Sequence, residues 1–283
     1  MEALRIPCLA KINLSLDVIG KRPDGYHLLR MLMQTVGLFD YINLEKIPEG
    51  IEVTCSNKSI ACDGSNTAYR MAALVIDRYS LNYGVKIHID KHIPAGAGLA
   101  GGSTDAAGVI KGMNQLFGLN MSLGEMLDLG LKVGADVPYC IIGGTALAEG
   151  IGERLTPLRP IKNIWCVIAK PEFSISTKEA YGALKLDGIM RHPATERLMG
   201  YIEAGNGKKL AAGMVNVLED ACISAYPQIY DIRKLMQQGG ALGSMMTGSG
   251  SAVFGLFQSR SEGERCCALL KERVQEVFLV ETC

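Results

Sequence analysis

An α+β fold in two domains is what this sequence predicts, and three observations carry the prediction. Segments that alternate with a strand's two-residue period are interspersed with segments of helical spacing along all 283 residues. Pro157 and Pro160 flank a short basic stretch and mark a boundary, giving domains over 1–156 and 157–283. Each half carries one glycine-rich loop, Pro94–Thr104 in the first and Thr247–Ser251 in the second. A ligand gripped from two sides is the arrangement those loops suggest.

The first half opens on Leu4–Ile19, one or two strands in which Ile12, Leu14, Leu16 and Val18 alternate with Lys11, Asn13, Ser15 and Asp17. That polar face either meets solvent or lines a site. Pro23-Asp24-Gly25 is a turn, and Tyr26 and His27 leave it as a hairpin-packing pair or a platform for a flat ligand. Strands follow over Leu28–Leu38, Tyr41–Glu45 and Ile51–Thr54, then a helix over Asn66–Tyr79. Lys86–Lys91 alternates as a strand into the glycine loop, and Asn120–Leu131 reads as helix. Asp136, in Gly134-Ala-Asp-Val-Pro138, either caps a helix or does chemistry. A strand over Thr145–Glu149 closes the half.

The second half begins with a buried strand, Trp165–Lys170. Helices are expected over Ser176–Leu184, Thr195–Glu203, Met214–Ala225 and Gln228–Gln238. Strands over Ala241–Met246 and Ala252–Gln258 enclose the second glycine loop, and a helix over Glu262–Val274 and a strand over Val277–Glu281 follow.

Composition excludes several classes. With 29 basic and 29 acidic residues the net charge is +0, which argues against a nucleic-acid binder. Nine cysteines, odd in number and without a C-x-x-C pair, suit a reducing cytoplasm rather than a disulfide frame or a zinc site. No leader peptide is read at MEALRIPCLA, and no apolar run reaches membrane-spanning length.

The loop Pro94-Ala95-Gly96-Ala97-Gly98-Leu99-Ala100-Gly101-Gly102-Ser103-Thr104 sits between a strand and a helix, with Ser103 or Thr104 expected at the helix N-cap and Asp105 in the first turn. Glycine lets backbone approach a ligand, and a helix N-terminus favours an anion, above all phosphate. Gly96-x-Gly98-x-x-Gly101 matches the dinucleotide fingerprint literally, but the acidic strand end expected about 20 residues on is replaced by a helix. A Walker loop and the protein-kinase H-R-D and D-F-G motifs are absent. Valine at Gly101 is expected to fill the phosphate space while the domain still folds.

A lysine-bearing strand, P-x-G-x-G-L-x-G-G-S-T-D-A-A and T-G-S-G-S, in that order, resemble the GHMP kinase superfamily over nearly the whole chain. A-K-I-N-L-S-L at 10–16, G-K-R-x-D-G-Y-H at 20–27 and G-A-D-V-P at 134–138 are similar to the branch that acts on a CDP-linked methylerythritol. The resemblance implies a two-domain fold. Its N-terminal α/β domain is of the ribosomal S5 domain 2 type with a left-handed βαβ crossover, its C-terminal domain is ferredoxin-like, and the active site lies in the cleft between them. It implies a monomeric or homodimeric enzyme using ATP and Mg2+, without naming metal ligands beyond Ser103 and Glu149 as candidates. Pro94–Thr104 would wrap the phosphates, and Asn66 would lie near the adenine end. Asp136 would be the base or orient the hydroxyl, with Lys11 holding it and stabilising developing charge. Asn13, Gly248 and Ser249 would contact substrate, and Tyr26, His27 and Tyr181 would hold the cytosine. The runner-up is another small-metabolite kinase of the superfamily, such as homoserine kinase; a non-catalytic ATP-binding sensor would have lost Lys11 or Asp136. Where the superfamily has its last G-L-G glycine this chain has Ala100, expected at negative φ.

Overall fold

The computed structural model describes residues 3–283; residues 1 and 2, the start of the MEALRIPCLA stretch, lie outside them. Its elements are β1 (Ala3–Lys21), β2 (His27–Ile47), β3 (Ile51–Cys55), α1 (Thr67–Tyr79), β4 (Gly84–Asp90), α2 (Gly101–Leu116), α3 (Leu123–Val133), α4 (Val137–Ile142), β5 (Thr145–Gly150) and β6 (Arg154–Pro157). They continue with β7 (Trp165–Lys170), α5 (Thr177–Ala183), α6 (Thr195–Glu203), α7 (Gly207–Gly213), β8 (Val215–Asn216), α8 (Val217–Ala225), α9 (Gln228–Gln238), β9 (Gly243–Met246), β10 (Val253–Phe257), α10 (Arg260–Lys271) and β11 (Glu276–Glu281). Among the described residues no helix is long and apolar enough to cross a membrane.

Compactness divides the chain differently from a cut after residue 156. The first unit comprises the chain up to Ala10 with Leu38–Ile93 and Ala100–Gly143; the second comprises Lys11–Gly37, Pro94–Leu99 and Gly144–Cys283.

In the first unit the strand order is β3-β4-β2-β1, with β3 and β4 parallel across α1 and β2 antiparallel to β4 from Tyr41↔Asp90 to Ile47↔Gly84. Ile42, Leu44, Val85, Ile87 and Ile89 on the strands pack with Met71, Ala72, Val75, Val109, Ile110 and Met113 on α1 and α2, all at most 1% exposed. A Cβ at Gly108 would meet Cys8 Sγ at 2.2 Å, and one at Gly112 would meet Leu44 Cδ1 at 2.1 Å. That glycine pair lets α2 lie close on the strands. α3 starts in a capping box, Ser122 with Glu125.

In the second unit β1 pairs with β8 in parallel, Ser15↔Val215 and Leu16↔Asn216, and β2 pairs antiparallel with β5 from Leu29↔Gly150 to Gln34↔Thr145. A four-stranded antiparallel sheet runs β11-β7-β10-β9. In chain order that is 4-1-3-2, with helices between its first and second and its third and fourth strands, the ferredoxin-like pattern expected. Its centre is apolar throughout: Cys166, Val167, Ile168, Phe254, Leu256 and Phe257 are at most 1% exposed.

Three expectations change here. Leu28–Leu38 and Tyr41–Glu45 form one 21-residue strand, β2, because Asp40 is buried within it and its carboxylate accepts the N–H groups of His92 and Ile93 at 2.6 and 2.7 Å. α2 starts at Gly101, so Ala100 and not Ser103 or Thr104 is its N-cap, with no side-chain cap bond. α7, bounded by Asn206, which accepts the Lys209 N–H at 3.0 Å, and ending in glycine, lies where no helix is expected from spacing.

Candidate active site

Within the second unit, the polar positions of β1 are sealed from solvent. Lys11, Asn13, Ser15 and Asp17 are 4, 1, 0 and 7% exposed, which removes the solvated-face alternative. A buried ammonium requires acceptors. Lys11 Nζ donates to Asn13 Oδ1 at 2.7 Å, and the Asn13 N–H donates to Thr247 Oγ1 at 3.1 Å. Thr247 opens the second glycine loop. A Cβ at Gly248, whose φ is +56°, would lie 3.2 Å from Lys11 Nζ, so only bare backbone reaches the ammonium this closely.

The two glycine loops meet inside this unit. A Cβ at Gly98, φ +74°, would stand 2.2 Å from Thr247 O, and the Ala252 N–H donates to Ala97 O at 3.2 Å. The Lys11 N–H donates to Leu99 O, also at 3.2 Å, so Pro94–Leu99 is docked on both the lysine strand and the second loop. Ala97 and Leu99 are 2 and 1% exposed. A Cβ at Gly96, φ +61°, would stand 2.8 Å from Ser174 Oγ. Ser249 Oγ lies 3.5 Å from Thr177 Oγ1 at the start of α5.

The aromatic candidates share this unit. His27 and Tyr181 stack with ring centroids 5.0 Å apart and planes at 26°, one continuous platform. Burial, then the charge of Lys21, holds the His27 pKa below its ordinary value, so the neutral ring prevails at pH 7. Tyr26 projects from the hairpin tip at 60% exposure, its N–H donating to Asp24 Oδ1 at 3.2 Å.

The first unit holds the helix end and the carboxylate. Ala100 lies at φ +60°, ψ +27°, the left-handed region, and not at the negative φ expected of an alanine. This conformation costs an L-residue about 1–2 kcal/mol. A left-handed residue running into a right-handed helix turns successive N–H groups toward one point, the geometry of an anion nest. Strain of this kind concentrates at binding sites. Ser103 lies in the first turn; Thr104 is 2% exposed, and its hydroxyl donates to Leu9 O at 2.8 Å, so that side chain seats the helix. Thr67 Oγ1 donates to Gly102 O at 2.6 Å, bringing the start of α1 beside the start of α2. Asn66 caps α1 by accepting the Ala68 N–H at 2.8 Å and donates to Ala61 O at 2.6 Å.

Asp136 occupies the N-cap position of α4, yet its side chain makes no cap bond. The cap reading from sequence is therefore right about position and wrong about the carboxylate. Pro138 is the second residue of α4, and at Gly134 a Cβ would lie 3.9 Å from Ser103 Oγ, so the Asp136 turn adjoins the first turn of α2. The site thus pairs a half-buried carboxylate with the positive end of a 16-residue helix.

Gly101 also differs from expectation. Its Cβ direction points at Lys91 Nζ, 2.9 Å away, and Ile93 Cγ2, 3.2 Å away, and not into open space. Gly101→Val is therefore expected to destabilise the protein by about 1–3 kcal/mol, the scale of overpacking. Chemical denaturation reads this directly; an unchanged midpoint would show that the side chain finds room.

Two groups of buried polar residues escape sequence reading. Lys91 Nζ bridges Asp40 Oδ2 at 2.5 Å and Asp105 Oδ2 at 2.7 Å beneath Gly101. Burial pushes the Asp105 carboxyl above the ordinary carboxylate range against the attraction of Lys91. Asn216 and Glu219, at the start of α8, bind the strand entering the second glycine loop. The helix expected over Met214–Ala225 covers both residues, and the N-x-x-E spacing at 216–219 is a local signal for its start.

The site has a family counterpart. Residues 66–144 match the GHMP kinases N terminal domain, and residues 198–275 match the GHMP kinases C terminal domain. The chain belongs to the GHMP kinases. Among GHMP kinases it is 48% identical over 279 residues to the 4-diphosphocytidyl-2-C-methyl-D-erythritol kinase of Clostridium botulinum strain Eklund 17B, covering 99% of this chain and 100% of that one. It is 49% identical over 275 residues to the enzyme of the same name from Caldicellulosiruptor saccharolyticus, covering 97% and 95%. A crystal structure of 4-(cytidine 5'-diphospho)-2C-methyl-D-erythritol kinase superposes with a TM-score of 0.85 at 30% identity, over 99% of both chains. A homoserine kinase from Cytophaga hutchinsonii shares the GHMP kinase fold, with a TM-score of 0.77 at 20% identity over 100% of this chain and 95% of that one.

Proposed function

We infer that this GHMP kinase transfers a phosphoryl group from ATP to the 2-hydroxyl of 4-(cytidine 5'-diphospho)-2-C-methyl-D-erythritol, giving the 2-phosphate and ADP, a step of the non-mevalonate route to isoprenoid precursors. The observation that carries the reading is identity of 48–50% across nearly the whole length of enzymes bearing that name. The homoserine kinase alternative has a likeness of fold alone behind it, at 20% identity.

ATP supplies the phosphoryl group when bound. The first turn of α2 fits its phosphates: helix geometry leaves the leading N–H groups without intrahelical acceptors, and left-handed Ala100 directs them together. Among the described residues no three His, Cys, Asp or Glu side chains form a metal cage. Mg2+ carried largely by phosphates and water, with one or two protein donors, suits such a site. Ser103 is a candidate donor; Glu149 lies 3.5 Å from Arg30 Nε in an ion pair.

Phosphoryl transfer asks for positioning and charge stabilisation more than for covalent chemistry. Asp136 takes the proton of the acceptor hydroxyl or orients it. The Lys11 ammonium, fixed by Asn13, stabilises charge that builds during transfer. Asn13, Gly248 and Ser249 contact the acceptor. The His27–Tyr181 platform and the exposed Tyr26 ring hold cytosine by its face, while Asn66 lies toward the adenine. We place the enzyme in the cytoplasm, as a monomer or homodimer with nine free thiols. Coupled detection of ADP with the CDP-linked acceptor, homoserine and mevalonate in parallel tests the reading. Turnover is expected with the first alone, and preference for homoserine would overturn it.

A further inference from the structure

We propose that Asn216 and Glu219 are positioning residues for phosphoryl transfer: from the start of α8 they hold the Thr247–Ser251 loop, through Met246 and Gly248, where its backbone meets Lys11 and Asn13. The proposal rests on the kinase reading above, since it assigns these residues to the step in which Lys11 acts.

Asn216 makes more bonds than a helix cap requires. Its Oδ1 accepts the Leu218 N–H at 3.0 Å, which completes the N-cap of α8. Both protons of its Nδ2 go elsewhere, to Met246 O at 2.9 Å and Gly248 O at 2.8 Å. Serine or aspartate would cap equally well but cannot make these two donations. Glu219, 5% exposed, accepts the Met246 N–H through Oε2 at 2.5 Å while Oε1 takes the Arg233 guanidinium. Met246 is thus held by its N–H and its C=O from two residues of one helix start.

The same frame is registered on the lysine strand. β8 pairs with β1 at Leu16↔Asn216, five residues beyond Lys11 in the strand that carries it. Thr247, the residue after Met246, takes the Asn13 N–H, and Gly248 brings its backbone against Lys11 Nζ. Loss of the Nδ2 donors would release the loop at Met246 and Gly248. A misplacement on the order of 1 Å can cost up to about 10²-fold in rate.

Asn216→Ser and Asn216→Asp separate capping from loop holding. Both keep the cap and are expected to melt below wild type, because two buried carbonyls lose their donors, yet to stay folded at assay temperature and lose about 10-fold or more in kcat, with the KM for ATP changing less than kcat. Glu219→Gln, which keeps an acceptor for the Met246 N–H, is expected to retain more kcat than Glu219→Leu. Wild-type kcat in a folded Asn216→Ser or Asn216→Asp variant would overturn the proposal. So would losses that follow melting temperature alone and vanish when the assay is cooled. Wild-type enzyme is assayed first on the CDP-linked acceptor, homoserine and mevalonate. Failure of the kinase assignment shows there as silence on the first, and the Asn216 comparison is then read on whichever acceptor is used.

Discussion

Asp136→Asn is expected to lower kcat by about 10²-fold or more while leaving the fold and ATP affinity in place. The substitution is nearly isosteric. Because the native side chain makes no cap bond to α4, it removes no helix-capping contribution. What it removes is a carboxylate able to take or direct a proton beside the positive end of α2. Lys11→Ala is expected to fall on kcat as well, and the double variant to lose little beyond the worse single one, since residues that serve one step are not additive. Stopped-flow or steady-state turnover with saturating ATP decides it. Near-normal kcat in Asp136→Asn would return that residue to a positional role in the turn, and losses that multiply would assign the two residues to separate steps.

Tyr26→Ala is expected to raise the KM for the CDP-linked acceptor by about 5- to 150-fold, the range that corresponds to 1–3 kcal/mol of base stacking. The ring is 60% exposed at a turn tip, so its truncation costs the fold little. The KM for ATP should hardly move, and Tyr26→Phe should be close to silent because the ring face supplies the contact. Varying each substrate in turn separates the cases. A raised KM for ATP would assign Tyr26 to the adenine end and would leave the His27–Tyr181 stack as the only aromatic surface proposed for cytosine.

Much of the fold was legible because its signals are local. Thr195–Glu203 and Gln228–Gln238 agree residue for residue with α6 and α9, where spacing and end signals coincide. Sequence reading divides β2 on either side of Asp40, whose partners, the backbone and side chain of Lys91–Ile93, are about fifty residues away, and no local pattern reports them. The glycine loop was recognisable as a phosphate motif, but the reasons for its individual glycines were not. Gly98 faces the Thr247 carbonyl and Gly101 faces Lys91, constraints set by packing. Average backbone preference puts Ala100 at negative φ, and a strained helix entry overrides it. Lys11 and Asn13 could be placed on one strand face by alternation alone, whereas their burial depends on what covers that face.

The order of the segments along the chain bears on how the protein is made. Every piece of the first unit precedes residue 144, whereas the second unit needs Gly144–Cys283 to complete the environment of Lys11–Gly37 and Pro94–Leu99. At cellular translation speeds that final stretch takes on the order of ten seconds. Through that interval Leu16, Leu32 and Met33, all at most 2% exposed in the finished protein, have neither β5 nor β8 to pair with. Unpaired apolar strands invite association with other chains. The nascent chain therefore has a window in which chaperone capture competes with aggregation, and it closes only when the C-terminal sheet and α8 have emerged. Lys11 is synthesised early and seated late.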